Sequence, residues 1–97
     1  MNTYVIFRRS GWNSLQELEK AAARSTQVGQ QEMPDRVRWI RSYVTKEPGG
    51  RIGTVCIYEA VDFNAIREHA RRADLPCDDV VPVSNVVIVN ADSPVAV

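Results

Sequence analysis

The chain has 97 residues, and its twelve basic and twelve acidic side chains cancel. A chain of this length forms one domain that buries roughly 65% of its unfolded surface without staples. The charge balance leaves no net field to attract nucleic acid or an anionic membrane. Residues Met1 to Phe7 lack a basic stretch followed by an apolar run and a cleavage site, and nowhere do about 18 apolar residues run together. The expectation is a cytoplasmic protein in which the two cysteines, Cys56 and Cys77, stay reduced.

Tyr4 to Arg9 reads as a short strand whose alternate sets, Tyr4/Ile6 and Val5/Phe7, are both apolar, and Ser10-Gly11-Trp12-Asn13 reads as a turn. Ser14 with Glu17 makes a capping box, in which the hydroxyl takes a free amide of the first turn and the carboxylate reaches back. Leu15, Leu18, Ala22 and Ser25 then lie on one helical stripe with Ala21 and Val28 beside it, and Gly29 is the expected stop. After a turn at Pro34-Asp35 comes a second strand, Arg36 to Thr45. Its two faces read as Val37, Trp39, Arg41, Tyr43 and as Arg38, Ile40, Ser42, Val44.

Glu47-Pro48-Gly49-Gly50 supplies a mobile hairpin turn. The stretch Thr54 to Pro76 then reads as a buried strand running straight into an amphipathic helix. Asp62 is a good N-cap, Phe63, Ile66, Ala70 and Ala73 form the apolar stripe, and Asp74-Leu75-Pro76 ends the helix. Val80 to Val89 is a valine-rich last strand whose early Pro82 suits a sheet edge, and 90–97 reads as a loose tail.

Strand, helix, strand, strand, helix, strand with a central hairpin predicts a ferredoxin-like βαββαβ sandwich of the α+β class: a four-stranded antiparallel sheet with both helices on one face. The whole chain, 1–97, is one such domain, with its ordered core at about 3–89. Helices cover only one face, yet every strand carries apolar residues on both. A homodimer packed sheet to sheet is therefore expected, with part of the second face lining a ligand cavity.

For chemistry, His69, the single histidine, is the first candidate, because neutral imidazole is both a base and a metal ligand. Glu59 at the end of the preceding strand and Cys77 after the helix would complete an N, O and S donor set for a divalent transition metal. No C-x-x-C or H-x-x-x-H spacing is present, and a packed, hydrogen-bonded His69 competes with that reading. Arg41, between Trp39 and Tyr43 on one strand face, needs an anion, either a carboxylate such as Glu59 or a ligand held beside the two aromatics. Tyr58, which shares a face with Cys56, would border the same cavity. The third strand Gly53 to Tyr58 lacks the aromatic pattern of an RNA-recognition motif, and the loop after the first strand lacks the paired cysteines of a metallochaperone. No organic cofactor motif is evident.

Three segments carry a resemblance: Val37-Arg38-Trp39-Ile40-Arg41-Ser42-Tyr43-Val44, then Cys56-Ile57-Tyr58-Glu59-Ala60, then Ala65 to Ala73 (AIREHARRA) followed by Leu75-Pro76. Together they resemble a family of small bacterial domains whose described member is a nickel-responsive, nickel-binding protein with a dimeric ferredoxin-like fold. The resemblance spans about Tyr4 to Val89. It implies a homodimer and nickel or another late divalent metal, with His69 as the matched histidine. The chain departs from the family pattern at Arg41, where many members have a histidine. Two functions are expected beside a third, plainly structural reading, an interaction module with no ligand at all. One is a metal-binding homodimer. The other is a dimeric α/β-barrel-like enzyme, of isomerase or cofactor-free oxygenase type, with a small-molecule cleft between sheet and helices at Arg41, Tyr43, Tyr58 and Trp39.

Overall fold

The computed structural model describes residues 1–77 and 79–92. Four strands, β1 (Asn2–Trp12), β2 (Val37–Lys46), β3 (Ile52–Ala60) and β4 (Asp79–Pro82), form one antiparallel sheet in the order β2-β3-β1-β4. Helices α1 (Leu15–Gln27) and α2 (Phe63–Ala73) are the two crossovers. The β3 residue Tyr58 touches Ser25 of α1 and His69 of α2, so both helices lie on one face. This is the ferredoxin-like βαββαβ arrangement. Both predicted caps are formed: Ser14 Oγ accepts from Glu17 N at 3.2 Å and Asp62 Oδ1 from Ala65 N at 2.8 Å. In the first box the Glu17 carboxylate returns to Asn13 N, one residue outside the cap.

The helix-facing set of β1 and β3 is Tyr4, Ile6 and Arg8 with Thr54, Cys56, Tyr58 and Ala60, all buried. With Val37, Ala65, Ile66, Ala73, Val28 and Met33 most of these make the core. The other face carries Val5, Phe7, Val55 and Ile57, each half-buried, flanked by exposed Tyr43 and Val81.

Four sequence expectations need correction. Ser10-Gly11-Trp12 is not a turn: β1 continues to Trp12 through an irregularity in which four steps of β1 match two of β3, with Ser10 at φ 49°. Gly53 on the facing strand has to be glycine, since a Cβ there would lie 2.6 Å from the Arg8 carbonyl oxygen. Gly29 does not stop α1. The chain runs on through a π turn, Val28–Glu32, closed by Met33 N–H donating to the Val28 carbonyl at 2.9 Å.

In β2 the pairing shifts between Trp39 and Arg41, so that Trp39 lies opposite Tyr58 but Arg41 lies opposite Ile57. This bulge divides the face expected to hold Val37, Trp39, Arg41 and Tyr43 together: Val37 and Trp39 turn to the helices, and Tyr43 turns to the open face. Finally, β4 ends at Pro82, not Val89. Tyr4 pairs with Pro82, and Thr3 still accepts from Val83 N at 2.9 Å, but Val86 to Val89 lie outside the strand. Of the expected loose tail, 93–97 lies outside the described residues. Asp92 Oδ2 meets Arg41 Nη1 at 3.3 Å, so 83–92 crosses from one edge strand to the other.

Candidate functional site

A cleft of about 470 Å³ opens between α1 and the sheet. Leu18, Ala21 and Ala22 of α1 form its roof, Trp12 and Trp39 stand in its walls, and Arg8, Thr54, Cys56 and Tyr58 lie along its floor. Both strand irregularities serve it. The extra residues of β1 bring Trp12 round to the cleft, and the β2 bulge lets Ile40 and Arg41 join its lining as well as Trp39 and Ser42. Trp39 is fixed by a parallel stack on Tyr58, with ring centroids 6.0 Å apart, and by Nε1–H donating to Ser42 Oγ at 2.8 Å.

Beneath the cleft is a buried polar chain. Tyr58 Oη lies 3.0 Å from Ser25 Oγ, and Ser25 Oγ lies 3.4 Å from His69 Nε2. The same Nε2 is 3.1 Å from the Ser25 carbonyl oxygen, which only accepts, so Nε2 carries the proton. Burial, with the nearby Arg8 charge adding to it, holds the His69 pKa below its ordinary value and keeps the ring neutral. Burial also pushes the Tyr58 hydroxyl up to about 12. His69 is thus a packed donor, edge-on to Tyr58 at 5.2 Å.

Arg8 is the cation of this region. It is 1% exposed. Its Nε donates to the Pro76 carbonyl at 2.7 Å, its Nη1 points at Cys56 Sγ at 3.1 Å, and its guanidinium carbon sits 5.8 Å from the Tyr58 ring centre. Nη2 has no hydrogen-bond partner among the described residues. The sequence reading passed over Arg8, although it continues the inward alternation Tyr4, Ile6.

The structure places the candidate residues as follows. Trp39, Tyr58 and Arg41 line the cleft; Tyr43 lies on the open face of the sheet. His69 is in the core below it. Glu59 is next to inward Tyr58 on the strand, so it turns to the other face, where it pairs with Arg38 at 3.3 Å. Cys77 is exposed, in a surface groove with Arg67, Glu68 and Arg71. The three proposed metal donors are therefore in three different places, and among the described residues no three His, Cys, Asp or Glu side chains gather as a metal site. Nor does any described helix have the length and apolarity to cross a membrane.

The family model described as "Nickel responsive protein SCO4226-like" matches residues 4–83. Among solved structures, the crystal structure of SCO4226 from Streptomyces coelicolor A3(2) is similar in fold, with a TM-score of 0.69 at 15% identity, covering 88% of this chain and 99% of that one. No curated protein sequence matches the chain.

Proposed function

The chain belongs to the nickel-responsive SCO4226-like family, and from that premise we propose that it is a small single-domain, cytoplasmic, homodimeric binding protein whose own site is the cleft between α1 and the sheet. The carrying observation is the cleft's make-up: about 470 Å³, walled by two tryptophans and aliphatic side chains around a few convergent polar groups. Small-molecule sites have this size and composition. Binding is favoured over the isomerase or oxygenase alternative by the polar groups beneath the cleft. His69 spends its Nε2 proton on a carbonyl and Tyr58 keeps its proton, so neither is poised as a base. A neutral apolar probe tests the reading. Indole should bind wild type saturably, and Ala22→Trp, which fills the cleft from its roof, should abolish binding while the chain stays folded. Failure of indole to perturb the amide resonances of cleft residues would refute it.

Dimerisation is supported by the apolar open face, Val5, Phe7, Val55, Ile57, Tyr43 and Val81, and by the run Val86 to Val89, whose side chains are 71% to 86% exposed. Ile57→Glu should turn a wild-type dimer into monomer in light scattering; a wild-type mass of a single chain would end the proposal.

Nickel is the second reading, favoured by the family's description. The donor set does not fit one chain: His69 Nε2 is engaged, Glu59 is on the far face and Cys77 is elsewhere on the surface. Among the described residues, a nickel site built on these donors would thus be one assembled between protomers. Equilibrium dialysis decides it. Saturable nickel binding that is lost in His69→Ala would restore the single-chain site, whereas binding that persists in that variant but disappears in Ile57→Glu supports a shared one.

A further inference from the structure

We propose that the ligand of the α1 cleft is a small apolar monocarboxylate whose carboxylate is received by Arg8. This rests on the cleft being a ligand site and adds the charge and class of what enters. The argument is one of missing charge. A guanidinium that is almost fully buried normally has a carboxylate or a full set of acceptors around it, because taking an ion out of water is costly. Arg8 has neither among the described residues: one carbonyl on Nε, one thiol sulfur on Nη1, and nothing on Nη2.

Arg8 lines the cleft, and its guanidinium lies buried just beneath that lining. Its neighbours Cys56 and Tyr58 are themselves lining residues. Among the described residues the rest of the lining offers no compensation, for it contains no aspartate or glutamate and adds a second arginine, Arg41, which is exposed and pairs with exposed Asp92. Surface pairs of that kind are weak. The Tyr58 hydroxyl is protonated at neutral pH, so it supplies no negative charge.

The remaining surroundings select among anions. A phosphate needs several converging donors, such as a turn of free backbone amides, whereas here one buried guanidinium end is available beside the hydroxyls of Thr54 and Ser42. A planar carboxylate is what a guanidinium edge accepts best. Trp12 and Trp39, with Leu18, Ile40 and Val44, would take an aromatic or branched aliphatic body.

Isothermal titration with two isosteric probes, indole-3-acetate and indole-3-acetamide, tests this on the full chain. The carboxylate should bind at least tenfold more tightly than the amide, and inorganic phosphate should not compete. Arg8→Met should remove the preference while leaving amide binding within about threefold, and Arg8→Lys should keep part of it. Cys56→Ser should leave the preference in place, which separates a ligand carboxylate from a thiolate as the natural counter-charge. Equal binding of both probes to wild type would overturn the anion inference and leave the cleft reading standing. Binding of neither would overturn both. Should Arg8→Met fail to fold, the wild-type ratio and Arg8→Lys still decide.

Discussion

Along thirteen residues α1 fully buries one side chain, Ser25, whereas α2 buries Ala65, Ile66, His69, Ala70 and Ala73 along eleven. The two helices occupy equivalent places in the fold, each crossing from one strand of the sheet to another. The difference lies in what faces them. Ala65, Ile66 and Ala73 join a continuous core with Tyr4, Ile6, Val37 and Ala60, while Leu18, Ala21 and Ala22 look across a gap to Arg8, Thr54, Cys56 and Tyr58. One helix holds the sheet; the other roofs a cleft. In a fold built from two similar halves, the close-packed core and the open cleft fall to different halves.

Large-to-small substitutions should bring out the contrast most strongly. Ile66→Ala removes a fully buried side chain from close packing and should cost about 3–4 kcal/mol, whereas Leu18→Ala at the cleft roof should cost less than about 1 kcal/mol. Urea denaturation measures both. Equal losses would mean that the cleft closes in solution.

Small-to-large substitutions should show the same contrast in reverse. Ala65→Leu forces atoms into a filled core and should destabilise by about 1–3 kcal/mol. Ala22→Leu grows into empty space, so its stability should stay within about 1 kcal/mol of wild type while indole binding weakens. A matching loss at both positions would show that α1 is as tightly seated as α2.

The holding half was the more legible in sequence. Asp62 before Phe63, Ile66, Ala70 and Ala73 is a local pattern, and local hydrogen bonding carries it out. The cleft depends on events between segments. The β2 bulge that sends Tyr43 away from Trp39 breaks a period of two that any strand reading assumes. β4 forms by pairing with β1, from the opposite end of the sequence, and its last pair is Tyr4 with Pro82. That the three metal candidates lie apart was partly readable: with Tyr58 inward, adjacent Glu59 must face away from His69. Arg8 was readable too, as an arginine in an inward alternate set, but that it lacks a carboxylate partner among the described residues is a fact of packing.

A third comparison uses pH. His69 is the titratable group on the buried face of α2, and its folded-state pKa lies below the ordinary 6.5. Between its folded value and 6.5 the unfolded chain binds more protons than the folded one, so this contribution is complete above pH 6.5 and is lost as pH falls through that window. Glu68 and Glu47 are held below their ordinary 4.5, chiefly by Arg36 and Arg9, so their contributions fade only below about pH 4.5. Urea midpoints at pH 7.5 and pH 5 should therefore differ for wild type, by at most about 1.4 kcal/mol per pH unit. His69→Gln, whose amide still donates to the Ser25 carbonyl, should flatten that difference. An unchanged slope would place the buried proton elsewhere.

The smallest expected effect concerns how the two helices end. α1 runs out through a π turn, but α2 stops sharply at Asp74, which adopts a left-handed conformation at φ 55° and ψ 49° while its N–H bonds back to the Ala70 and Arg71 carbonyls. That position costs an ordinary L-residue energy that glycine does not pay. It also sets a carboxylate beside the negative end of the helix dipole, where Arg71 and Arg72 of the last turn partly offset it. Asp74→Gly removes both penalties and gains flexibility in the unfolded chain, so a net stabilisation of about 0.5 kcal/mol is expected. Asp74→Asn removes the charge and keeps a residue that tolerates the left-handed region, and it should recover part of the gain. The equivalent change at the other helix, Met33→Gly after the π turn, should instead destabilise by at least about 2 kcal/mol, because Met33 sits at φ −134° with its side chain buried in the core. Thermal melts of the three variants would then order as Asp74→Gly, Asp74→Asn, wild type and Met33→Gly; a loss of stability in Asp74→Gly would mean that the aspartate makes a compensating interaction at the end of α2.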